Sequence, residues 1–584
     1  MLEILNVLLS LLFLFANGAA ILYFLNYLRS GKKFSNIEVL IYSFPLGYAV
    51  LTLTSLAIAQ FGFLVYPINL FAILIIPVIA LCLYTYRKQI DKQAANKSTS
   101  NACQNSPLNF RLSSVILLSV FALAIILRLE TQLNTPFLGD TDPYYHLTFI
   151  DSIIAQGTIP SRTLWGFYSY PPSFHTVFAT LISTTQVDRF LFMKIVPEFL
   201  GFLSIPAAYL LISKKYGEWP GIASAAFLAI SSIHIYRTNI AIPESVALLG
   251  IVMFFLAFTT QTGLRKHLLA GIFASMIFLT NIVSSIYFIA FMTAIFIVLI
   301  LSNQKSHSVE LMKATGVGLL LSGIFWLPTI YHLGLEGILQ GLGPQYPQAA
   351  INFTSNTYFS WIGWGTIVFA VIGVYVCLKD FRNHIVFIVP IITVIILLEA
   401  SNNGYNVLEA NLLFRGLLYL GTWVTLLAGI GFWRVLRSQK DKIIALILVA
   451  VVIFTMISFP IFSNSRYPMN YGNENVDFVY RSYLSNYSAI FKSLDYRVYS
   501  GDSYFNYGAF NNVILEREMP QLKQAISINN SDVIINLLNQ NNVLYLILIN
   551  GTTEADFFAE KRYAYKYYEN WHTIVFIVDY SLES

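Results

Sequence analysis

Fourteen long apolar runs constrain this chain more than any other feature, at about 4-28, 37-60, 65-86, 113-129, 189-213, 220-236, 244-262, 267-281, 283-302, 314-333, 360-378, 385-399, 411-432 and 443-462. A helix of roughly 20 apolar residues crosses the bilayer core, and in lipid every backbone polar group must be satisfied within the segment. The expected fold class is therefore a polytopic α-helical membrane protein of about 14 spans. Composition agrees, since 56% of the 584 residues are hydrophobic and 11% charged, against about 25% charged in soluble domains. Disorder, a coiled coil and a secreted disulfide scaffold are excluded. Cys82, Cys103 and Cys377 lie far apart, so neither a disulfide framework nor a Cys-ligated zinc site is expected. The first run is expected to be a span rather than a cleavable signal: Glu3 stands where a basic n-region belongs, and a second span follows soon after.

Lysine and arginine alternate between connections. One set holds twenty of the 35, among them Arg29, Lys32, Lys33, Arg87, Lys88, Lys214, Lys215, Arg265, Lys266, Lys379, Arg382, Arg434 and Arg437. The opposite set, before the tail, holds six: Arg128, Arg162, Arg189, Lys194, Arg237 and Arg415. Retained positive charge marks the cytoplasmic side, so the sparse set is placed outside. The net charge of +5 is thereby an orientation signal, and no basic patch with interleaved aromatics supports a nucleic-acid partner. The chain divides into additional N-terminal spans with a cytoplasmic linker (1-112), a transmembrane domain (113-462) with a large outer loop (130-188), and an extracytoplasmic domain (463-584). Strand-like runs at Val543-Ile549 and Thr573-Val578 give that tail an α/β character. No internal repeat of 20-50 residues is found.

The outer loop carries Gly139-Asp140-Thr141-Asp142-Pro143-Tyr144-Tyr145-His146. Carboxylates two residues apart in extended chain project to one side, and hard cations such as Mg²⁺ or Mn²⁺ take such oxygen ligands. Asp142 before Pro143 is also a helix-start signal, and the two roles are compatible. Glu244, opening a span after Arg237-Thr238-Asn239-Ile240-Ala241-Ile242-Pro243, is a candidate third metal ligand or a first-turn glutamate favoured by the helix dipole. Arg415, at the outer end of a span, offers a planar fork for a lipid phosphate or snorkels to the interface. Glu198 is a further intramembrane carboxylate, four residues from Lys194. His146 and His175 are candidates for a metal or a phosphate, or packing residues. No hydrolase elbow, Walker loop, metalloprotease helix or dinucleotide loop is present.

At these residues the chain resembles the GT-C class of membrane glycosyltransferases, and within it the archaeal oligosaccharyltransferase catalytic subunit. Asp142-Pro143-Tyr144-Tyr145-His146-Leu147 resembles the first aspartate motif, and Tyr170-Pro171-Pro172-Ser173-Phe174-His175 the Y-P-P-x-x-H block after it. Arg237 through Glu244 occupies the place of the second acidic motif, and Phe414-Arg415 resembles the phosphate-binding arginine. Thr148 stands where the first motif usually has Arg, and Val246 where the second has another polar ligand. The tail motif Trp-Trp-Asp-Tyr-Gly, which in the family reads the Ser/Thr of the acceptor, is matched by Tyr504-Phe505-Asn506-Tyr507-Gly508 without the carboxylate.

The resemblance implies transfer of a sugar or glycan from a polyprenyl-phosphate-type donor to a protein or glycan acceptor at the outer face of the cell membrane. It implies Asp142 and Asp140 as catalytic residues, a divalent Mg or Mn on Asp140, Asp142 and Glu244, donor-phosphate contacts from Arg415, Arg237 and His146, and acceptor contacts from Tyr504, Phe505, Asn506 and Tyr507. The alternatives are a true oligosaccharyltransferase acting on Asn sequons, a non-catalytic lipid-glycan binder, and a transporter. The paired broken spans and internal symmetry of a transporter are not found in the sequence.

Overall fold

The structure, a computed structural model, describes residues 2–27, 34–60, 112–134, 142–157, 171–340, 361–402, 410–438, 497–500, 513–515, 524–526, 530–540, 543–549, 553–569 and 573–579, with single positions between them. It divides into two units: residues 1–134, 150–160 and 167–467, and residues 135–149, 161–166 and 468–584.

The first unit is helical. Its elements are α1 (Leu2–Tyr27), α2 (Asn36–Gln60), α3 (Leu112–Asn134), the later part of α4 (Asp142–Gln156), α5 (Ser173–Thr185), α6 (Arg189–Phe202), α7 (Ser204–Tyr216), α8 (Glu218–Ala229), α9 (Ser232–Thr238), α10 (Pro243–Thr260), α11 (Gly263–Thr280), α12 (Ile282–Leu301), α13 (Lys305–Gln340), α14 (Trp364–Leu378), α15 (Phe381–Asn402) and α16 (Ala410–Ser438). Twelve of the fourteen apolar runs coincide with these helices; 65-86 and 443-462 lie outside the described residues apart from single positions. Among the described residues nine helices are long and apolar enough to cross a membrane, ten if one bent pair counts as a span.

Helix surfaces sort by partner. Nearly every side chain of α10 is buried, as expected of a helix that is apolar all round. By contrast Leu118, Ile126, Leu320, Leu327, Val371 and Ile396 are large, apolar and exposed, a surface that water would not tolerate on this scale and that lipid covers. Where helices meet, small residues admit the partner's backbone. At Gly18 on α1 an added Cβ would overlap the Ser43 carbonyl of α2, and at Gly47 on α2 the Leu14 carbonyl of α1. The chain is a multi-pass membrane protein.

One end of this unit gathers the basic residues. Lys214, ending α7, pairs with Glu38 in the first turn of α2 at 2.9 Å. Lys215 donates to the Asn383 carbonyl, Gln304 donates to the Arg382 carbonyl at 2.9 Å, and Arg265 lies over the Phe34 ring. The helices α10, α12 and α16 end toward this side, so their first turns lie at the opposite end of the bundle.

The sequence suggests a single span over 220-236, but the structure breaks it. α8 and α9 meet at a 64° bend around Ile230 and Ser231. A helix is broken at membrane depth only where protein buries the freed backbone. Here Ile233, His234, Ile235, Arg237 and Thr238 of α9 and the following Asn239, Ile240, Ala241 and Ile242 are buried, until Pro243 and Glu244 open α10 in the N-terminal pattern that proline favours.

In the second unit, a five-stranded sheet runs in the order β2-β1-β3-β5-β4, with β1 (Arg497–Ser500), β2 (Val513–Leu515), β3 (Val543–Ile549), β4 (Ala564–Glu569) and β5 (Thr573–Val578). β1 is parallel to β2 and β3, whereas β5 is antiparallel to β3 and β4. Leu546 and Leu548 of β3 and Phe576 and Val578 of β5 alternate inward. They meet Ile534 and Leu538 of α17 (Ser531–Gln540) and Phe558 of α18 (Thr553–Ala559) in one buried cluster.

Candidate functional site

The broken span sets up the first part of the site. Arg237 is the penultimate residue of α9 and Glu244 the second of α10, so the chain turns back between them. The Arg237 guanidinium donates through Nη2 to Glu244 Oε2, and both side chains are buried. Two charges removed from water in this way hold each other in place, because either alone would be strongly unfavourable. Ser245 donates to the Ile242 carbonyl at 2.9 Å and closes the turn.

Aromatic hydroxyls surround this pair. The charge of Glu244 acts on Tyr287 of α12 and on Tyr419 of α16, and the charge of Arg415 also acts on Tyr419. Arg415 is half-buried and lies one turn before Tyr419 on the same helix face. The Tyr287 and Tyr419 rings pack at 4.7 Å between centroids. Gly416 makes room for them, since an added Cβ would collide with the Tyr287 hydroxyl. Asn281, between α11 and α12, accepts from the Ser284 backbone N–H at 2.8 Å and from its Oγ at 3.0 Å. With the Ser284 proton so committed, the Tyr419 hydroxyl donates to Ser284 Oγ across 2.7 Å. Arg237, Glu244 and Arg415 are thereby drawn to one end of the helical unit, away from its basic end. Tyr287, Tyr419, Ser284 and Asn281 are absent from the sequence reading, because aromatic and small polar residues in an apolar run carry no separate signal.

Two further buried networks flank this end. Tyr48 and Thr52 of α2 meet Ser173 of α5, with Ser173 Oγ 2.7 Å from Thr52 Oγ1 and donating to the Tyr48 hydroxyl at 3.0 Å; Thr280 Oγ1 lies 3.3 Å from Ser173. His175, two residues on, is buried with its ring against Phe174. On the other flank Arg128 of α3 is buried among groups of α9, and the charge of buried Glu198 acts on it.

Asp142 and His146 belong to the second unit. Asp142 begins α4 with Pro143 next, the arrangement of a helix start, and it is half-buried; His146, one turn later, is buried. Asp140, Tyr504, Phe505, Asn506 and Tyr507 lie outside the described residues. Among the described residues no three His, Cys, Asp or Glu side chains gather as a metal cluster. Glu244 nevertheless fits a hard cation in kind: Oε2 accepts from Arg237, while Oε1 is buried with no hydrogen-bond partner among the described residues.

No family model matches the sequence. A segment of 114 residues is 29% identical to dolichyl-phosphooligosaccharide-protein glycotransferase 1 of Pyrococcus horikoshii, covering 18% of this chain and 11% of that protein. The match thus spans about a tenth of the relative's length. Similar solved structures include the oligosaccharyltransferase AglB of Archaeoglobus fulgidus, in complex with an inhibitory peptide and a dolichol-phosphate, at 14% identity and a TM-score of 0.50 over 81% of this chain and 75% of that one. The same A. fulgidus protein in complex with Zn and sulfate aligns at 14% identity and a TM-score of 0.51, over 79% of this chain and 72% of that one. ArnT of Cupriavidus metallidurans in the apo state aligns at 11% identity and a TM-score of 0.53 over 81% of this chain and 98% of that one; bound to undecaprenyl phosphate it aligns at 12% identity and a TM-score of 0.51 over 80% and 97%. These likenesses reach well beyond any single motif, and the fold of this chain is that of the GT-C membrane glycosyltransferases.

Proposed function

We propose that this protein is a membrane glycosyltransferase that moves a sugar or glycan from a polyprenyl-phosphate-type lipid to an acceptor at the extracytoplasmic face. The observation that carries this reading is the buried Arg237–Glu244 pair at the same end of a GT-C bundle as Arg415. Cleaving a glycosyl phosphate builds negative charge on the departing oxygen, and preorganised cations in a dry site stabilise that charge. Arg415 and Arg237, with His146, are the proposed donor-phosphate contacts. Asp140, Asp142 and Glu244 are the proposed oxygen ligands of a divalent cation, Mg²⁺ or Mn²⁺. Such an ion, when bound, supplies Lewis-acid stabilisation of the leaving phosphate. Asp142 is the residue on which transfer depends first, and Tyr504, Phe505, Asn506 and Tyr507 are the proposed acceptor contacts. The solved relatives bound to dolichol-phosphate and undecaprenyl phosphate support the donor class.

The test is transfer from a radiolabelled lipid-linked sugar in membranes. Asp142→Asn and Glu244→Gln are each expected to lower the rate at least a hundredfold, and EDTA to abolish it until Mg²⁺ or Mn²⁺ is restored. Wild-type transfer by Asp142→Asn, or indifference to EDTA, overturns the assignment. Adding a peptide with an Asn-x-Thr sequon decides the acceptor: a labelled peptide means an oligosaccharyltransferase, and label elsewhere means another acceptor.

A further inference from the structure

We infer that Arg128 is a positioning residue for the donor site: through His234 and Thr238 it fixes α9 so that Arg237 is presented to Glu244 and to the lipid phosphate. The inference rests on the functional reading above and adds to it a device that none of the motif residues contains.

Arg128 sits on α3, more than a hundred residues before α9, and is 1% exposed. Its fork spans the bend of the broken span. Nη1 donates to the Ala229 carbonyl at 3.2 Å, the last residue of α8, and to Ala124 O of its own helix at 2.9 Å. Nη2 donates to His234 Nδ1 at 2.7 Å, and Nε to Thr238 Oγ1 at 3.0 Å. One planar group therefore ties the end of α8 to the first and last turns of α9. Because a guanidinium only donates, His234 Nδ1 must be the accepting nitrogen and Nε2 carries the proton. That Nε2–H meets Ser204 Oγ at 2.8 Å, and Ser204 donates to the Gly201 carbonyl at 2.7 Å, which anchors the same network to the α6–α7 junction. Thr238 in turn donates to the His234 carbonyl at 2.7 Å.

The geometry matters because α9 is only seven residues long and lies beyond a 64° bend. So short a helix has little intrinsic stability, and its orientation must come from outside. Thr238 is the residue next to Arg237, and His234 lies one turn before it. A change in the Arg128 fork is therefore transmitted to the Arg237 side chain over a single peptide unit.

The experiment measures binding of dolichyl phosphate to the purified full chain in detergent, with thermal midpoints recorded in parallel so that only folded protein is compared. Thr238→Val removes the hydroxyl that Arg128 holds while keeping the branched shape. It is expected to weaken binding about tenfold in the wild-type background and less than twofold in an Arg237→Ala background. Ser204→Ala, which breaks the far end of the network, should follow the same pattern with a smaller loss. A merely structural role for Arg128 would lower the midpoint but leave the two backgrounds equally affected. Equal losses in both backgrounds, or none in either, overturn the positioning role alone. Unchanged dolichyl phosphate binding by Arg237→Ala overturns the donor-site reading, and the positioning role with it.

Discussion

At the scale of single residues, the site is held by groups whose burial makes their partners indispensable. Glu244 and Arg237 are each less than a tenth exposed. Removing one partner of a buried pair leaves the other charge uncompensated, at a cost of about 3–5 kcal/mol, whereas replacing both by apolar residues of similar size is close to neutral. Glu244→Ala is therefore expected to destabilise the folded protein by about that amount, and the double change Arg237→Met with Glu244→Met to recover most of it. Denaturant titration in detergent checks this, and a single change without effect would mean that the two charges are not mutually dependent. Glu244 was legible in the sequence because a carboxylate opening an apolar span stands out. Its tyrosine neighbours were not: Tyr287 and Tyr419 read as ordinary packing residues until the fold brings three separate helices together around them. Arg128 was visible as one of few basic residues on its side, but nothing local to it signals His234 or Thr238.

At the scale of elements, what was legible was whatever local pattern decides. Long apolar runs became helices because the lipid-facing backbone has no other way to satisfy its hydrogen bonds, and the runs at Val543–Ile549 and Thr573–Val578 are strands of the described sheet. The bend between α8 and α9 was not legible, since Ile222 through Ile235 is nearly continuous in apolar and small residues and contains no proline. Tertiary bonds from Arg128 hold that bend, which is why the sequence alone runs through it. Glycine contacts belong to the same scale. Gly47 sits against the Leu14 carbonyl, a backbone atom that cannot swing aside, so Gly47→Leu is expected to force α1 from α2 and lower the thermal midpoint by several degrees. Gly316 faces open space, and Gly316→Leu should leave the midpoint unchanged. A silent Gly47→Leu would mean that the two helices do not cross so closely.

At the scale of the molecule, the asymmetry of charge gives a direction. The basic residues that close α7, open α11 and flank α15 converge on one end of the bundle, where Lys214–Glu38 and the contacts of Lys215, Gln304 and Arg265 knit several helices together. Positive charge resists translocation, so the expectation is that this end faces the cytoplasm and the end with Arg237, Glu244 and Arg415 the outside. Lipid phosphates reach an interfacial arginine from whichever leaflet it faces, so under the proposed function the side on which Arg415 lies decides which pool of donor is within reach. The expectation is tested in cells by single cysteines in a chain whose Cys82, Cys103 and Cys377 are replaced by serine. Lys379 and Tyr565 are both exposed. A membrane-impermeant maleimide should label Tyr565→Cys on intact cells and Lys379→Cys only after lysis. The reverse labelling would move the end with Arg237, Glu244 and Arg415 to the cytoplasm, leave the fold as it is, and require the proposed donor to be presented on the inner leaflet.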